Sequence, residues 1–180
     1  EIFVIIGGSG CGKTTLLKHM AGLLQPTSGQ IRYSGTDITT MDEDEVSDIQ
    51  RDIGIAFQSG ALFNSLTVGE NVALPMREYT DMKDDLIEAM VLLKLSLVGL
   101  SAAKDLLPAQ LSGGMKKRAG LARAIALDPP IVYFDEPSAG LDPIMASGLD
   151  DLILKLKSLL GITFIIVTVT MINVMPRRLF

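Results

Sequence analysis

At 180 residues the chain can bury the core of one ordinary domain without disulfides or metal, and one cysteine (Cys11) with one histidine (His19) excludes an internal disulfide and argues against a zinc site. Apolar residues make up 48% and aromatics 5%, with no Trp, so aliphatic side chains must fill the core, as in parallel sheets covered by helices, and an α/β fold is expected. The net charge of −5 disfavours binding through nucleic-acid phosphates, and no stretch supplies the roughly 20 apolar residues of a membrane-spanning helix.

The two most apolar stretches fail that test for different reasons. Glu88 and Lys94 interrupt residues 86–100, and residues 162–169 have the length of a strand. The start of the chain shows no secretion signal, so the cytosol is the expected compartment. The basic cluster Lys116-Lys117-Arg118 is expected to be a solvated helix face.

In chain order, residues 2–6 form a β-favouring run that ends in glycines, followed by a helical pattern over residues 13–21. After the turn cluster Pro26-Thr27-Ser28-Gly29, residues 30–33 with Ser34-Gly35 predict a small antiparallel hairpin. Asp42, Glu43, Asp44 and Glu45 follow Thr40 and place acidic groups at the start of a helix running to about Arg51. A strand over 53–57 comes next, then a predominantly helical stretch from Thr67 to about Ala126. Strands over 131–134 and 162–168 flank a helix from Pro143 to about Leu159. The expected division is an α/β core of residues 1–66 and 127–180 with a helical subdomain of 67–126 inside one folding unit.

Gly7-Gly8-Ser9-Gly10-Cys11-Gly12-Lys13-Thr14 fits G-x-x-x-x-G-K-[ST] between a predicted strand and a predicted helix. Glycines let such a loop turn its backbone N–H groups onto one anion, and the helix N-terminus adds partial positive charge. Lys13 is expected on the β- and γ-phosphates of ATP, the Thr14 hydroxyl on Mg²⁺, and Thr15 on a further phosphate oxygen. An accidental glycine-rich turn is the alternative, and the strand–loop–helix setting weighs against it.

Ile131-Val132-Tyr133-Phe134-Asp135-Glu136 is an apolar run ending in two carboxylates, at the carboxyl end of a strand where open α/β sheets hold ligands. Asp135 is the expected Mg²⁺ group. Glu136 is suited to orient, or accept a proton from, the water attacking the γ-phosphate.

Leu111-Ser112-Gly113-Gly114-Met115 resembles the signature sequence of ABC transporter ATPases. The resemblance implies a P-loop NTPase (RecA-like) core with a parallel sheet, a small antiparallel element and a helical subdomain. It also implies a homodimer in which Ser112, Gly113 and Gly114 face the γ-phosphate held by the opposite subunit. Gln58 matches the glutamine that contacts Mg²⁺ and water, and Asp142 the aspartate of the loop crossing to the partner.

Phe57-Gln58-Ser59-Gly60-Ala61-Leu62-Phe63-Asn64-Ser65-Leu66-Thr67-Val68, the Met115 to Ala124 stretch and Glu136-Pro137-Ser138-Ala139-Gly140-Leu141-Asp142-Pro143 look most like Mla/Mce-type phospholipid-transport ATPases. Met115 stands where most of the wider family has glutamine. That likeness implies a membrane permease, a lipid-binding MCE protein and a STAS-domain protein as partners, at the cytoplasmic face of a bacterial inner membrane. Leu62 and Phe63 are expected either at the permease or in the subdomain interface.

The chain departs from the pattern at Val169, where the family has a histidine contacting the γ-phosphate. His19 does not take that role and is expected on a helix surface or in packing. Residues 170–180 resemble nothing expected, and the aromatic residue that stacks on adenine would lie before Glu1. The chain is therefore expected to be truncated at both ends or frameshifted, with weakened adenine affinity, and a nucleotide-binding subunit with impaired hydrolysis is the alternative to an ATPase. An ABC ATPase acting on DNA or ribosomes is disfavoured by the acidic charge and by the lack of a long coiled-coil insertion between Gln58 and Ser112. Alkylating Cys11, inside the phosphate loop, should block ATP binding in a filter or calorimetric assay; unchanged binding by the alkylated chain would show that the thiol points away.

Overall fold

The computed structural model describes residues 1–169, so the expectations for the tail 170–180 lie outside the described residues. The chain opens with strand β1 (Ile2–Ile6), and helix α1 (Lys13–Met20) begins after the glycine loop. β2 (Arg32–Tyr33) and β3 (Thr36–Asp37) pair antiparallel, and Ser34 and Gly35 take φ of 49° and 89°, the left-handed pair that a two-residue hairpin turn requires. The predicted hairpin is thus present in its shortest form.

Helix α2 (Glu43–Arg51) starts where its cap dictates. The Asp42 carboxylate accepts the Glu45 N–H while the Glu45 side chain accepts the Asp42 N–H, a capping box worth about 1 kcal/mol. Strand β4 (Ile53–Ala56) follows. Helix α3 (Val68–Tyr79) has a second such box between Thr67 and Glu70, and α4 (Asp84–Leu97) begins with two acidic residues in its first turn. Helix α5 (Gly113–Ala124) is capped by Ser112, strand β5 (Ile131–Asp135) follows, and α6 (Pro143–Leu160) is capped by Asp142 and ends at Gly161, with φ of 69°. Strand β6 (Thr163–Thr168) is the last described element.

The four long strands form one parallel sheet in the order β1-β6-β5-β4. Ile6 lies opposite Thr168, and Asp135 lies opposite Val167, so three strands finish at one edge of the sheet. The central strands are covered on both faces. Val132 and Phe134 of β5 and Phe164 and Ile166 of β6 join the larger apolar cluster, which continues through Leu149, Ile153 and Leu156 of α6 and into Val72, Met76, Val91 and Leu95 of α3 and α4. Tyr133 and Val167 face the other way, onto Leu17 and Ala21 of α1. β1, at the sheet edge, leaves Phe3 54% exposed.

The basic stretch of α5 is a correction. Lys117 is only 5% exposed, its Nζ donating to the carbonyls of Glu136 at 2.9 Å and Pro137 at 2.6 Å, and Arg118 donates to the Val98 carbonyl at 3.2 Å. These buried carbonyls need donors, and the helix supplies them, so the cluster is not a solvated face. Among the described residues no helix is long and apolar enough to cross a membrane.

α5 also lies unusually close to β4. A Cβ at Gly54 would stand 2.3 Å from the Ala124 carbonyl oxygen, a backbone atom with no room to yield. Gly54→Ala should therefore destabilise the chain by about 1–3 kcal/mol, seen as a lower urea midpoint at unchanged slope; an unchanged midpoint would mean that the helix can slide.

Candidate functional site

The glycine loop grows directly from the sheet. Gly7 N–H extends the ladder by donating to the Thr168 carbonyl at 3.2 Å, and the chain then turns through Gly10 and Gly12, with φ of 78° and 95°. A Cβ at Gly7 would stand 2.6 Å from Cys11 Sγ, so a side chain there would require the exposed Cys11 side chain to turn away. Gly8 and the exposed Cys11 lie between these glycines. α1 is capped by Gly12, which has no side chain to accept a bond, so the first-turn N–H groups remain available to an anion.

Lys13 folds back over this loop. Its Nζ donates to the carbonyls of Gly7 and Gly8, each at 2.9 Å, and lies 3.4 Å from Glu136 Oε1. The Thr14 hydroxyl meets both oxygens of Asp135, at 3.0 and 3.1 Å. Burial holds the Asp135 carboxyl above the usual carboxylate range; the Thr14 hydrogen bond offsets part of that effect, while the neighbouring Glu136 charge adds to it.

Glu136 takes φ of 47°, a left-handed conformation that is costly for a residue with a Cβ. Its N–H donates to the Val167 carbonyl at 2.8 Å, its carbonyl accepts Lys117, and its Oε2 accepts the Val169 N–H at 3.1 Å. Main chain and side chain are thus both held.

A cleft of about 420 Å³ opens above the end of β6, lined by Ser9, Gly10, Gly12, Lys13, Thr14, Thr15, Gln58, Glu136 and Val169. Gln58 reaches it from the segment after β4. That segment is itself clamped from α5, where Arg123 donates to the carbonyls of Ala61 at 2.8 Å and Gly60 at 3.3 Å. The structure therefore brings the glycine loop, Gln58 and Glu136 together, with Asp135 behind Thr14. It does not bring Ser112, Gly113, Gly114 or Asp142 to this cleft. Ser112 and Gly113 are exposed at the start of α5, and Gly114 is buried against Met145. The Asp142 carboxylate accepts the N–H groups of Ile144 and Met145 at 3.0 Å as the cap of α6.

Thr14, Asp135 and Gln58 present hydroxyl, carboxylate and amide oxygen, the donor chemistry of a hard divalent cation. No cluster of three or more His, Cys, Asp or Glu side chains suited to a metal occurs among the described residues. A hydroxyl, a carboxylate and an amide oxygen are the kind of few protein ligands that Mg²⁺ takes, its remaining positions going to phosphate oxygens and water. His19 donates from Nδ1 to the Leu24 carbonyl at 2.9 Å, a packing role. Phe63 is 53% exposed beneath the Arg123 guanidinium, 5.8 Å from the ring centre, whereas Leu62 packs on the main apolar cluster.

Sequence reasoning missed Lys117 and Arg123. The signal was available for Lys117, three and four residues before the buried Gly120 and Leu121 and so on the buried side of α5.

A family model described as ABC transporter matches residues 1–139. The chain belongs to the ABC transporter family. It is 47% identical over 168 residues to the intermembrane phospholipid transport system ATP-binding protein MlaF of Haemophilus influenzae, covering 93% of this chain and 64% of the relative. It is also 45% identical to the probable ribonucleotide transport ATP-binding protein mkl of Mycobacterium leprae, covering 93% of this chain and 48% of that one. The chain thus spans 64% and 48% of the length of these two curated relatives. The fold matches the dimeric post-hydrolysis structure of the ATP-binding cassette MJ0796 bound to ADP and Pi, with a TM-score of 0.85, 35% identity, and coverage of 93% of this chain and 74% of that one. The P-loop ABC ATPase fold expected from the sequence is therefore present.

Because burial disfavours the Asp135 carboxylate, Asp135 stabilises the fold only while protonated, and that contribution fades as pH rises from the usual carboxylate range through its raised value. Asp135→Asn should accordingly raise the melting midpoint of the nucleotide-free ABC chain at pH 7 while weakening Mg²⁺-dependent ATP binding; a lower midpoint would contradict the electrostatic account.

Proposed function

We propose that the chain binds Mg²⁺·ATP in this cleft and hydrolyses it, as the ATPase subunit of an ABC transporter moving phospholipid for outer-membrane lipid asymmetry. The observation that carries the hydrolytic reading is Glu136, its backbone strained and its carboxylate fixed at the cleft between Lys13 and the Val169 N–H.

In this proposal, Gly7, Gly8, Ser9, Gly10, Cys11 and Gly12 surround the phosphates with backbone N–H groups, and Thr15 takes a further phosphate oxygen. Lys13 exchanges two neutral carbonyls for anionic phosphate oxygens, a stronger, charge-assisted contact. Thr14, Asp135 and Gln58 hold the cation, which, when bound, neutralises charge developing on the β- and γ-oxygens. Glu136 orients the attacking water and takes its proton. Catalysis is then chiefly positioning and charge stabilisation.

Ser112, Gly113, Gly114 and Asp142 lie away from the cleft, as expected of groups that serve a second copy of the chain in a homodimer. Residues 67–126 form the helical subdomain, and the exposed Phe63 faces a membrane permease. An MCE lipid-binding protein and a STAS-domain protein complete the assembly, at the cytoplasmic face of a bacterial inner membrane. The phospholipid cargo is supported by the likeness to MlaF. The likeness to mkl favours a second cargo reading, an importer-type ATPase for a different substrate. Val169 favours a hydrolysis-impaired subunit, because an aliphatic side chain stands where the resemblance puts an imidazole.

Single-turnover assays with labelled ATP separate these readings. Phosphate release that falls about 10²–10⁴-fold in Glu136→Gln supports the ATPase, ATP binding without release supports the impaired subunit, and absence of ATP binding overturns both. Transport of labelled phospholipid, but not ribonucleotide, by proteoliposomes of the assembled transporter tests the cargo.

A further inference from the structure

Lys117 lies one turn inside α5, almost wholly buried, yet carries an ammonium that the roles above do not use. Two of its N–H donors reach the carbonyls of Glu136, at 2.9 Å, and Pro137, at 2.6 Å. Glu136 is the residue in the left-handed region, with φ of 47°. On its N-terminal side the N–H is fixed to the Val167 carbonyl at 2.8 Å. On its C-terminal side Lys117 fixes the next two carbonyls. The bond to Val167 sets the peptide plane before Glu136 and the two from Lys117 set the planes after it, so both backbone dihedrals of the strained residue are determined from outside.

We propose that Lys117 is a positioning residue of the hydrolytic site, holding the backbone of Glu136 in its left-handed conformation so that the carboxylate points into the cleft. The inference rests on the hydrolytic role of Glu136 proposed above and adds the residue that keeps it aimed. A residue with a Cβ relaxes out of this region unless its surroundings over-determine it. Relaxation at Glu136 would rotate the carboxylate away from the 3.1 Å contact with the Val169 N–H and from Lys13. Burial pushes the Lys117 ammonium down from its usual range, with the Glu136 and Asp135 carboxylates opposing that shift. A lysine needed only to fill space would be a poor choice here, since an apolar side chain fills space without that desolvation cost.

The test uses steady-state hydrolysis by the full chain, with Lys117→Met, which keeps the length but removes the donors, and Lys117→Gln, which keeps an amide donor. Lys117→Met should lower kcat about 100-fold, the scale of an ångström-sized misplacement, with KM for ATP changed less than about twofold; Lys117→Gln should recover part of the loss. In a Glu136→Gln background Lys117→Met should change the residual rate less than about twofold, because the two residues act as one unit. A folded Lys117→Met chain with wild-type kcat, or an equal fold-loss in the Glu136→Gln background, overturns the inference. If Lys117→Met does not fold, the same two readouts on Lys117→Gln decide: a lower kcat that vanishes in the double variant supports it, and an unchanged kcat overturns it. A wild-type chain without turnover overturns the hydrolytic reading and this inference together, whereas an active wild type with unaffected Lys117 variants overturns this inference alone.

Discussion

Parallel pairing of β6 with both β1 and β5 is the constraint on which the site depends. Strands in parallel register carry their carboxyl ends to one edge of the sheet, and here Ile6, Thr168 and Asp135 arrive there together. The loop after β1 and the turn after β5 then rise on either side of β6 and leave a crevice between them, the place where open α/β sheets bind ligands. Val169 sits in that crevice because β6 ends beneath it. A register shift of one residue would reverse which side chains face α1 and which face the helical cluster, so the alternation of Val132, Tyr133 and Phe134 fixes this edge as firmly as it fixes the core.

That edge concentrates charge in little space. Lys13 and Lys117 supply two buried cations, and Asp135 and Glu136 two buried anions. None is left to solvate itself: carbonyls receive the lysines, the Thr14 hydroxyl meets Asp135, and a main-chain N–H and an ammonium meet Glu136. Such groups are costly to bury and costly to leave unpaired, which makes their geometry stiff. Stiffness suits phosphoryl transfer, where the protein chiefly holds reactants and stabilises charge. Phosphates and a divalent cation would enter a site whose groups are already gathered, Lys13 and Thr14 exchanging their present partners for them.

The glycine loop, the apolar strand ending in Asp135-Glu136 and the strand–helix order were legible because each is local: a few residues, one conformation, one chemistry. The hairpin was legible from Ser34-Gly35 for the same reason. The acidic start of α2 was legible too: Asp42 makes the cap and Glu43, Asp44 and Glu45 fill the first turn, while Thr40 closes a short 3₁₀ turn just before it. Less legible was everything that depends on an unseen neighbour. Lys117 and Arg118 look solvated in a row of basic residues until the carbonyls they meet, far along the chain, are known. Leu62 and Phe63 look alike in sequence, yet one packs on the core and the other does not. Ser112 and Asp142 lie away from the cleft, in keeping with the resemblance, which assigned both to a partner subunit's nucleotide.

In the proposed function one chain supplies the cleft and a second copy completes it across ATP. Sedimentation velocity on the Glu136→Gln chain, with and without Mg²⁺·ATP, tests it most directly, with Ser112→Arg added in the same background. The account predicts a dimer that forms only with Mg²⁺·ATP and disappears when Ser112 is replaced; a chain that binds ATP yet stays monomeric, or a dimer indifferent to both ATP and Ser112, would contradict it.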